Sequence, residues 1–188
     1  MKKSIVFILI ALSCTLLSYD LPKDWFKAGS EPDKYEMGID KGAGINGKNV
    51  ATIRSTSKRI NGFGTLMQNS SPEKYLGKRV RMSGYMRSEN VNKWAGFWFR
   101  IDGADKKTSL GFDNMYDRAV TGTTAWTKFD IVLDVPSNAA NLAYGALLSG
   151  TGQIWFDNIN FDIVEPTTPA TNIGSSQLKE PKNLNFED

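Results

Sequence analysis

The chain has 188 residues, 23 basic and 20 acidic side chains for a formal charge of +3, one cysteine and no histidine. Near balance of charge supplies no electrostatic footprint for nucleic acid, and the missing histidine removes Ser-His-Asp and Cys-His catalysis, imidazole zinc sites and the commonest general base at neutral pH. Carboxylate, lysine or tyrosine chemistry is left, and no disulfide can form within the chain.

Lys2 and Lys3 precede an apolar stretch over residues 5–17 with the small Ser18 behind it, the profile of a secretory signal peptide spanning residues 1–18. The stretch falls short of the roughly 20 residues that cross a bilayer, and no later stretch comes close, so no transmembrane span is expected. The domain is expected to be secreted or periplasmic. Cys14, after Ala11-Leu12-Ser13, is either lost with the leader or lipidated as an anchor. Without Lys2 and Lys3, 21 basic residues face 20 acidic ones, a charge of +1. The remaining chain is long enough for one domain with a self-sufficient core, expected over residues 19–165.

Period-two alternation predicts strands at 35–40, 50–55, 63–68, 79–87, 95–102, 109–113, 127–135, 141–148 and 153–164, and no segment longer than a turn or two holds a helical period. Asn46-Gly47, Leu76-Gly77-Lys78, Asp102-Gly103 and Ser149-Gly150-Thr151-Gly152 separate them with residues suited to chain reversal. The fold class this implies is all-β, a jelly-roll-like antiparallel β-sandwich. From Pro166 the composition turns to proline, threonine, serine and lysine, so 166–188 is expected to be a linker or a docked tail. Within it, Leu184 and Phe186 either add an edge strand or belong to a disordered end.

Alternation also divides each strand into two faces. One face collects Val80, Met82 and Met86; Phe97, Phe99 and Ile101; Phe129, Ile131, Leu133 and Val135; Ile154 and Phe156; and, past a bulge at Asp157-Asn158, Ile159, Phe161 and Ile163. These are expected to pack between the sheets. The other face then gathers Trp98, Arg100, Arg81, Tyr85 and Trp155, with Gln68 beside them. Indole faces beside guanidinium and amide groups suit a sugar, whose C–H faces stack while its hydroxyls are bridged. A polar ligand, a glycan above all, is therefore expected on Trp98, Arg100, Arg81, Tyr85, Gln68 and Trp155, with Asp113 and Asn114 shaping the rim. The alternative is that loops, the segment around Trp25 and Phe26, or the tail cover these side chains and carboxylates pair with the arginines. The same aromatic and arginine face would also serve a protein partner or a second copy of the chain.

Asp113 and Asp117 are the acids a hydrolase would use as a facing pair. Two acids in one short loop are better explained as structure, with Asp113 and Asn114 accepting backbone hydrogen bonds and Arg118 pairing with Asp117 or a neighbouring acid, so no enzyme is expected.

Several motifs together carry a resemblance: Tyr35-Glu36-Met37-Gly38-Ile39-Asp40, Phe63-Gly64-Thr65-Leu66-Met67-Gln68, Trp94-Ala95-Gly96-Phe97-Trp98-Phe99-Arg100-Ile101-Asp102, Phe112-Asp113-Asn114-Met115 and Gly152-Gln153-Ile154-Trp155-Phe156-Asp157. Over most of its length the chain resembles a family of small bacterial proteins with a galactose-binding-like β-sandwich, some of them labelled transcriptional regulators, and it is similar to non-catalytic carbohydrate-binding modules. The regulator label conflicts with the leader and with the lack of a helix-turn-helix pattern. A core of this size needs no cofactor to hold it together, and none is expected; the resemblance suggests a structural calcium, for which Asp157 and Asp162 qualify by residue type. A surface or capping role for these aspartates is the competing reading.

Overall fold

The computed structural model describes residues 19–105 and 108–171. The signal-peptide expectation for 1–18, Cys14 with it, and the Leu184 and Phe186 pair lie outside the described residues.

The described chain forms nine strands, joined by turns and short 3-10 segments. They are β1 (Phe26–Gly29), β2 (Tyr35–Asp40), β3 (Val50–Ser55), β4 (Phe63–Ser70), β5 (Lys78–Gly103), β6 (Ser109–Asp113), β7 (Val120–Val135), β8 (Ala139–Ser149) and β9 (Gln153–Val164). Every pairing is antiparallel. The fold is an all-β sandwich of jelly-roll-like order, as the alternation predicts.

β5 organises it. Its first part, up to Glu89, pairs with β9 on one side and chiefly β7 on the other, while its last part, from Trp94, pairs with β8 and β6. One layer therefore runs β2-β3-β9-β5-β7 and the other β1-β4-β8-β5-β6. Alternation predicts two strands here because residues 88–93 are polar except for Val91. The chain instead bends without a break, with Asn90 left-handed at φ 54 and register shifts between Met86 and Ala95 absorbing the turn.

The core lies between the layers. Phe97 meets Phe156 edge-on at 6.0 Å, Phe99 meets Phe161 at 5.4 Å, and Tyr144 meets Phe161 at 4.7 Å, each contact joining one layer to the other. Val80, Met82, Met86, Ile101, Ile131, Leu133, Val135 and Ile154 are buried with them, and Phe129, Ile159 and Phe161 pack against the cluster. The expected bulge on β9 is present: Asn158 is left-handed and the register with β5 shifts there. Ile163 is a correction. It is 49 % exposed near the end of β9, beyond the reach of the facing layer.

Trp25 packs its ring against Tyr144 and Phe156, sealing one end of the core rather than covering an outer face. After β9 the chain doubles back along β7. The Arg79 guanidinium donates to the carbonyls of Pro166 and Thr168, and Thr171 exchanges hydrogen bonds with the backbone of Val132. No helix of the described residues is long and apolar enough to cross a membrane.

Candidate functional site

The outer face of the β1-β4-β8-β5-β6 layer carries a cleft of about 570 Å³. Alternation dictates its floor: residues that turn away from the core are Thr65 and Met67 on β4, Leu147 on β8 and Trp98 on β5. Trp98 is only 7 % exposed, packed among Ala143, Leu147, Met67 and Trp94. Its indole N–H donates to the Thr65 hydroxyl at 2.8 Å, and that hydroxyl donates to the Ala146 carbonyl at 2.7 Å. The polar edge of the indole is thus spent within the protein, leaving Trp98 an apolar floor.

The walls are more open. Phe63 is 37 % exposed and Phe112 40 %, large values for phenylalanine, and both line the cleft. Trp94 rises four residues before Trp98 on the same face of β5 and meets the exposed Tyr116 ring edge-on at 5.4 Å. The rim near Phe63 is fixed by the turn after β1: the Ser30 hydroxyl accepts the Phe63 N–H at 3.0 Å and the Glu31 carboxylate accepts the Gly62 N–H at 3.2 Å. A Cβ at Gly62 would stand 2.1 Å from the Ser30 oxygen, so glycine is what allows this close approach.

Arg100 and Asn114 are among the polar residues that line the cleft, with Ser30, Asn61, Thr65 and Ser149. Arg100 lies alongside Asp102 with Nε donating at 2.7 Å and Nη2 at 3.2 Å, and Asn141 donates to the same carboxylate at 3.0 Å. This fork is neutral overall, and Nη1 has no protein partner among the described residues. Asn114 Oδ1 accepts the Tyr116 N–H at 3.2 Å, and its NH₂ has no protein partner among the described residues.

Asp113, by contrast, points into the protein. It is wholly buried, accepts the Met115 N–H at 2.7 Å and pairs with Arg118 at 2.7 Å. Arg118 also holds Asp117 at 2.8 Å. A sealed, ion-paired carboxylate cannot exchange a proton with anything in the cleft, so the two acids form no facing pair across it. Their work is local: Asp113 accepts the N–H of Met115, which is left-handed at φ 60, and Arg118 ties both acids together beside Asn114.

The residues expected to form one surface do not. Trp98, Arg100 and Asn114 share the cleft, whereas Arg81, Tyr85 and Trp155 stand on the outer face of the other layer, with the Phe97, Phe99, Phe156 and Phe161 rings between the two groups. Alternation within a strand separates inside from outside but does not say which of two outsides, and β5 serves one layer with each of its parts. Trp155 is 6 % exposed: its N–H donates to Asp40 at 2.8 Å and Arg87 lies on its ring. Arg81 faces Asp130 at 3.8 Å. Gln68 is also displaced from its expected place, because it shares the inward side of β4 with Leu66 and accepts the Tyr144 hydroxyl at 2.6 Å at the edge of the core.

Calcium does not fit the aspartates the resemblance nominates. Asp157 accepts the neighbouring Asn158 N–H and Asp162 accepts the Asn160 amide, and they stand opposite Tyr85 and Arg81, about 13 Å apart along the strand. Among the described residues no group of three or more metal-ligating side chains comes together, whereas calcium takes six to eight oxygens.

No protein-family profile matches the chain. Solved structures do. The CBM22-1 xylan-binding domain from Paenibacillus barcinonensis Xyn10C superposes with a TM-score of 0.53 over 79 % of this chain and 90 % of that one, at 14 % identity. The two share a β-sandwich fold. The Stig cyclase Fisc from Fischerella sp. TAU shares that fold, with a TM-score of 0.51 over 81 % of this chain and 93 % of that one, at 14 % identity. The architecture is therefore common to a sugar-binding domain and a cyclase, and activity has to be argued from the cleft. A sequence relative, the uncharacterized HTH-type transcriptional regulator YbfP of Bacillus subtilis (strain 168), is 42 % identical over 169 residues. That match takes in 88 % of this chain and 57 % of the relative, so the chain spans little more than half the relative's length.

Sequence reasoning passed over Trp94, Phe63 and Phe112 as members of the cleft. Trp94 was within reach, since it shares the parity of Trp98. Phe63 and Phe112 fall in one cleft only once β4 and β6 have been assigned to the same layer, which alternation does not do.

Proposed function

We propose that this protein is a non-catalytic binding module that takes a glycan into the cleft over Trp98. The observation that carries the reading is the pair of exposed rings, Phe63 and Phe112, standing over an apolar floor beside the Arg100–Asp102 fork and the Asn114 amide. Sugar rings stack on such walls through their C–H faces, and one guanidinium edge with one amide is enough to orient their hydroxyls. The xylan-binding domain of the same fold is consistent with this use. Arg100 is neutralised by Asp102, which favours an uncharged saccharide here. The leader-like start of the chain supports a place outside the cytoplasm. The relative's regulator name is best read as describing the portion of that protein this chain does not share, because the described residues hold strands and short 3-10 turns with no helix-turn-helix.

Titration calorimetry against soluble xylan, glucan and mannan oligosaccharides tests the proposal. Trp94→Ala and Phe112→Ala are each expected to weaken binding about tenfold, equivalent to ~1.4 kcal/mol, with the melting temperature held. Folded protein that ignores a broad neutral panel, or binding indifferent to both substitutions, overturns it. A concentration-dependent dimer in sedimentation that Phe112→Ala dissolves would reassign these rings to a protein interface.

A further inference from the structure

The outer face of the opposite layer carries a second feature that the cleft does not explain. Arg87, on β5, places its guanidinium carbon 3.6 Å from the centre of the Trp155 ring, a distance reached only by lying against it. The ring of Trp126, on β7, stands 5.7 Å away from the same carbon. Arg54, Arg79, Arg81, Arg100 and Arg118 each pair with a carboxylate, but the Arg87 guanidinium makes no hydrogen bond or ion pair among the described residues. A guanidinium stacked through its face keeps its N–H groups in the plane of the stack, directed sideways and open.

The backbone makes a hollow at that edge. From Met86 to Ser88 β5 advances two residues, while its partners on β7 run from Thr127 back to Thr124, three residues. The extra residue on β7 is a bulge at Ala125 and Trp126, which bends the strand and opens a concavity of about 580 Å³ lined by Arg87, Glu89, Asn90, Thr123, Thr124 and Trp126, among others. Thr123 Oγ1 already accepts the Asn90 N–H at 3.0 Å, so its hydroxyl proton is left to donate outward. Glu89, exposed two residues beyond Arg87 on the same face, supplies an acceptor.

We propose that this hollow is a second saccharide site, selective for a sugar carrying a carboxylate. The carboxylate of a hexuronate takes the open edge of Arg87 in a two-point charge-assisted contact, its ring lies against Trp126, and its hydroxyls meet Thr123 and Glu89. The pairing of acid with an unneutralised arginine is what separates this site from the cleft, where Asp102 neutralises Arg100.

The test uses the full chain and trigalacturonate, with xylotriose as the neutral counterpart and inorganic sulfate as a bare anion. Trigalacturonate is expected to bind, to weaken at least tenfold in Arg87→Met and in Trp126→Ala, and to weaken less in Arg87→Lys, which keeps the charge but loses the fork. Trp94→Ala and Phe112→Ala are expected to leave this binding unchanged, so the site stands or falls independently of the cleft. Folded wild-type protein that does not bind trigalacturonate, binding that survives both Arg87→Met and Trp126→Ala, or sulfate that binds as tightly as the uronate would overturn the proposal. Arg87→Lys, which preserves the contact with Trp155, supplies the answer if Arg87→Met does not fold.

Discussion

Trp98 and Tyr35 show how single side chains tie the core to the cleft. Because Trp98 is buried and hydrogen-bonded to Thr65, Trp98→Ala is expected to cost about 3–5 kcal/mol of stability in a urea melt, as large aromatic truncations do. Trp98→Phe should cost only ~1–2 kcal/mol, chiefly the lost hydrogen bond. A neutral Trp98→Ala would mean that the indole belongs to the ligand and not to the floor. Tyr35 is buried, and its hydroxyl donates to the Gly150 carbonyl at 2.9 Å and approaches that of Gly62 at 3.4 Å, joining the β8–β9 turn to the rim of the cleft. Burial first, and then the negative charge of Glu31, push its phenol up to about 12. An unfolded tyrosine titrates near 10. The fold therefore prefers the protonated phenol: the stabilisation is complete below pH 10 and is lost as pH rises from 10 to about 12. That loss totals ~2–3 kcal/mol. Denaturant titrations across this range should show the decline in the wild type and a shallower one in Tyr35→Phe, with Tyr19 and Tyr144, also raised by burial, leaving a residual slope. An equal decline in both proteins would remove Tyr35 from the account.

At the scale of the strand, most of the fold was readable. Tyr35–Asp40, Val50–Ser55, Ser109–Asp113 and Gln153–Val164 form over the residues where alternation predicts them, because each alternates apolar and polar residues between turn signals. Three features escaped. β1 is four residues long, too short for a period to register. β7 starts at Val120 rather than 127, since its first part is polar and pairs across the bend of β5. β5 continues through residues 88–94, where pairing overrides composition. The candidate site was legible only in part for the same cause: Trp98, Arg100 and Asn114 fall together, but assigning Trp155, Tyr85 and Arg81 to the other layer needs the partners of β5. Gly84, on the first part of β5, has a checkable role. A Cβ there would sit 2.7 Å from the Phe97 ring of the facing layer, so Gly84→Ala is expected to destabilise by about 1–3 kcal/mol through overpacking. Unchanged stability would show that the layers can part to admit a methyl group.

For the molecule as a whole, the segment after β9 matters as much as any strand. Residues 165–171 lie along β7, where Thr171 satisfies the backbone of Val132 and Arg79 grips two carbonyls. A chain ending at residue 164 is expected to lose ~1–3 kcal/mol, from hydrogen bonds exchanged for water, and to expose an edge open to pairing with another chain. Comparing thermal melts and light scattering of that chain with a chain ending at 171 checks this, and identical behaviour would reduce the segment to a passive linker. The two outer faces then differ in kind. On one, the arginine beside the exposed rings is neutralised by Asp102; on the other, the Arg87 guanidinium makes no ion pair among the described residues.

Since a single continuous ribbon, β5, is built into both halves of the sandwich, neither half can melt while the other survives. Unfolding should accordingly be one all-or-none event, with the backbone amides of Val80–Met86 and Ala95–Ile101, on either side of the bend, sharing the slowest hydrogen exchange in the protein.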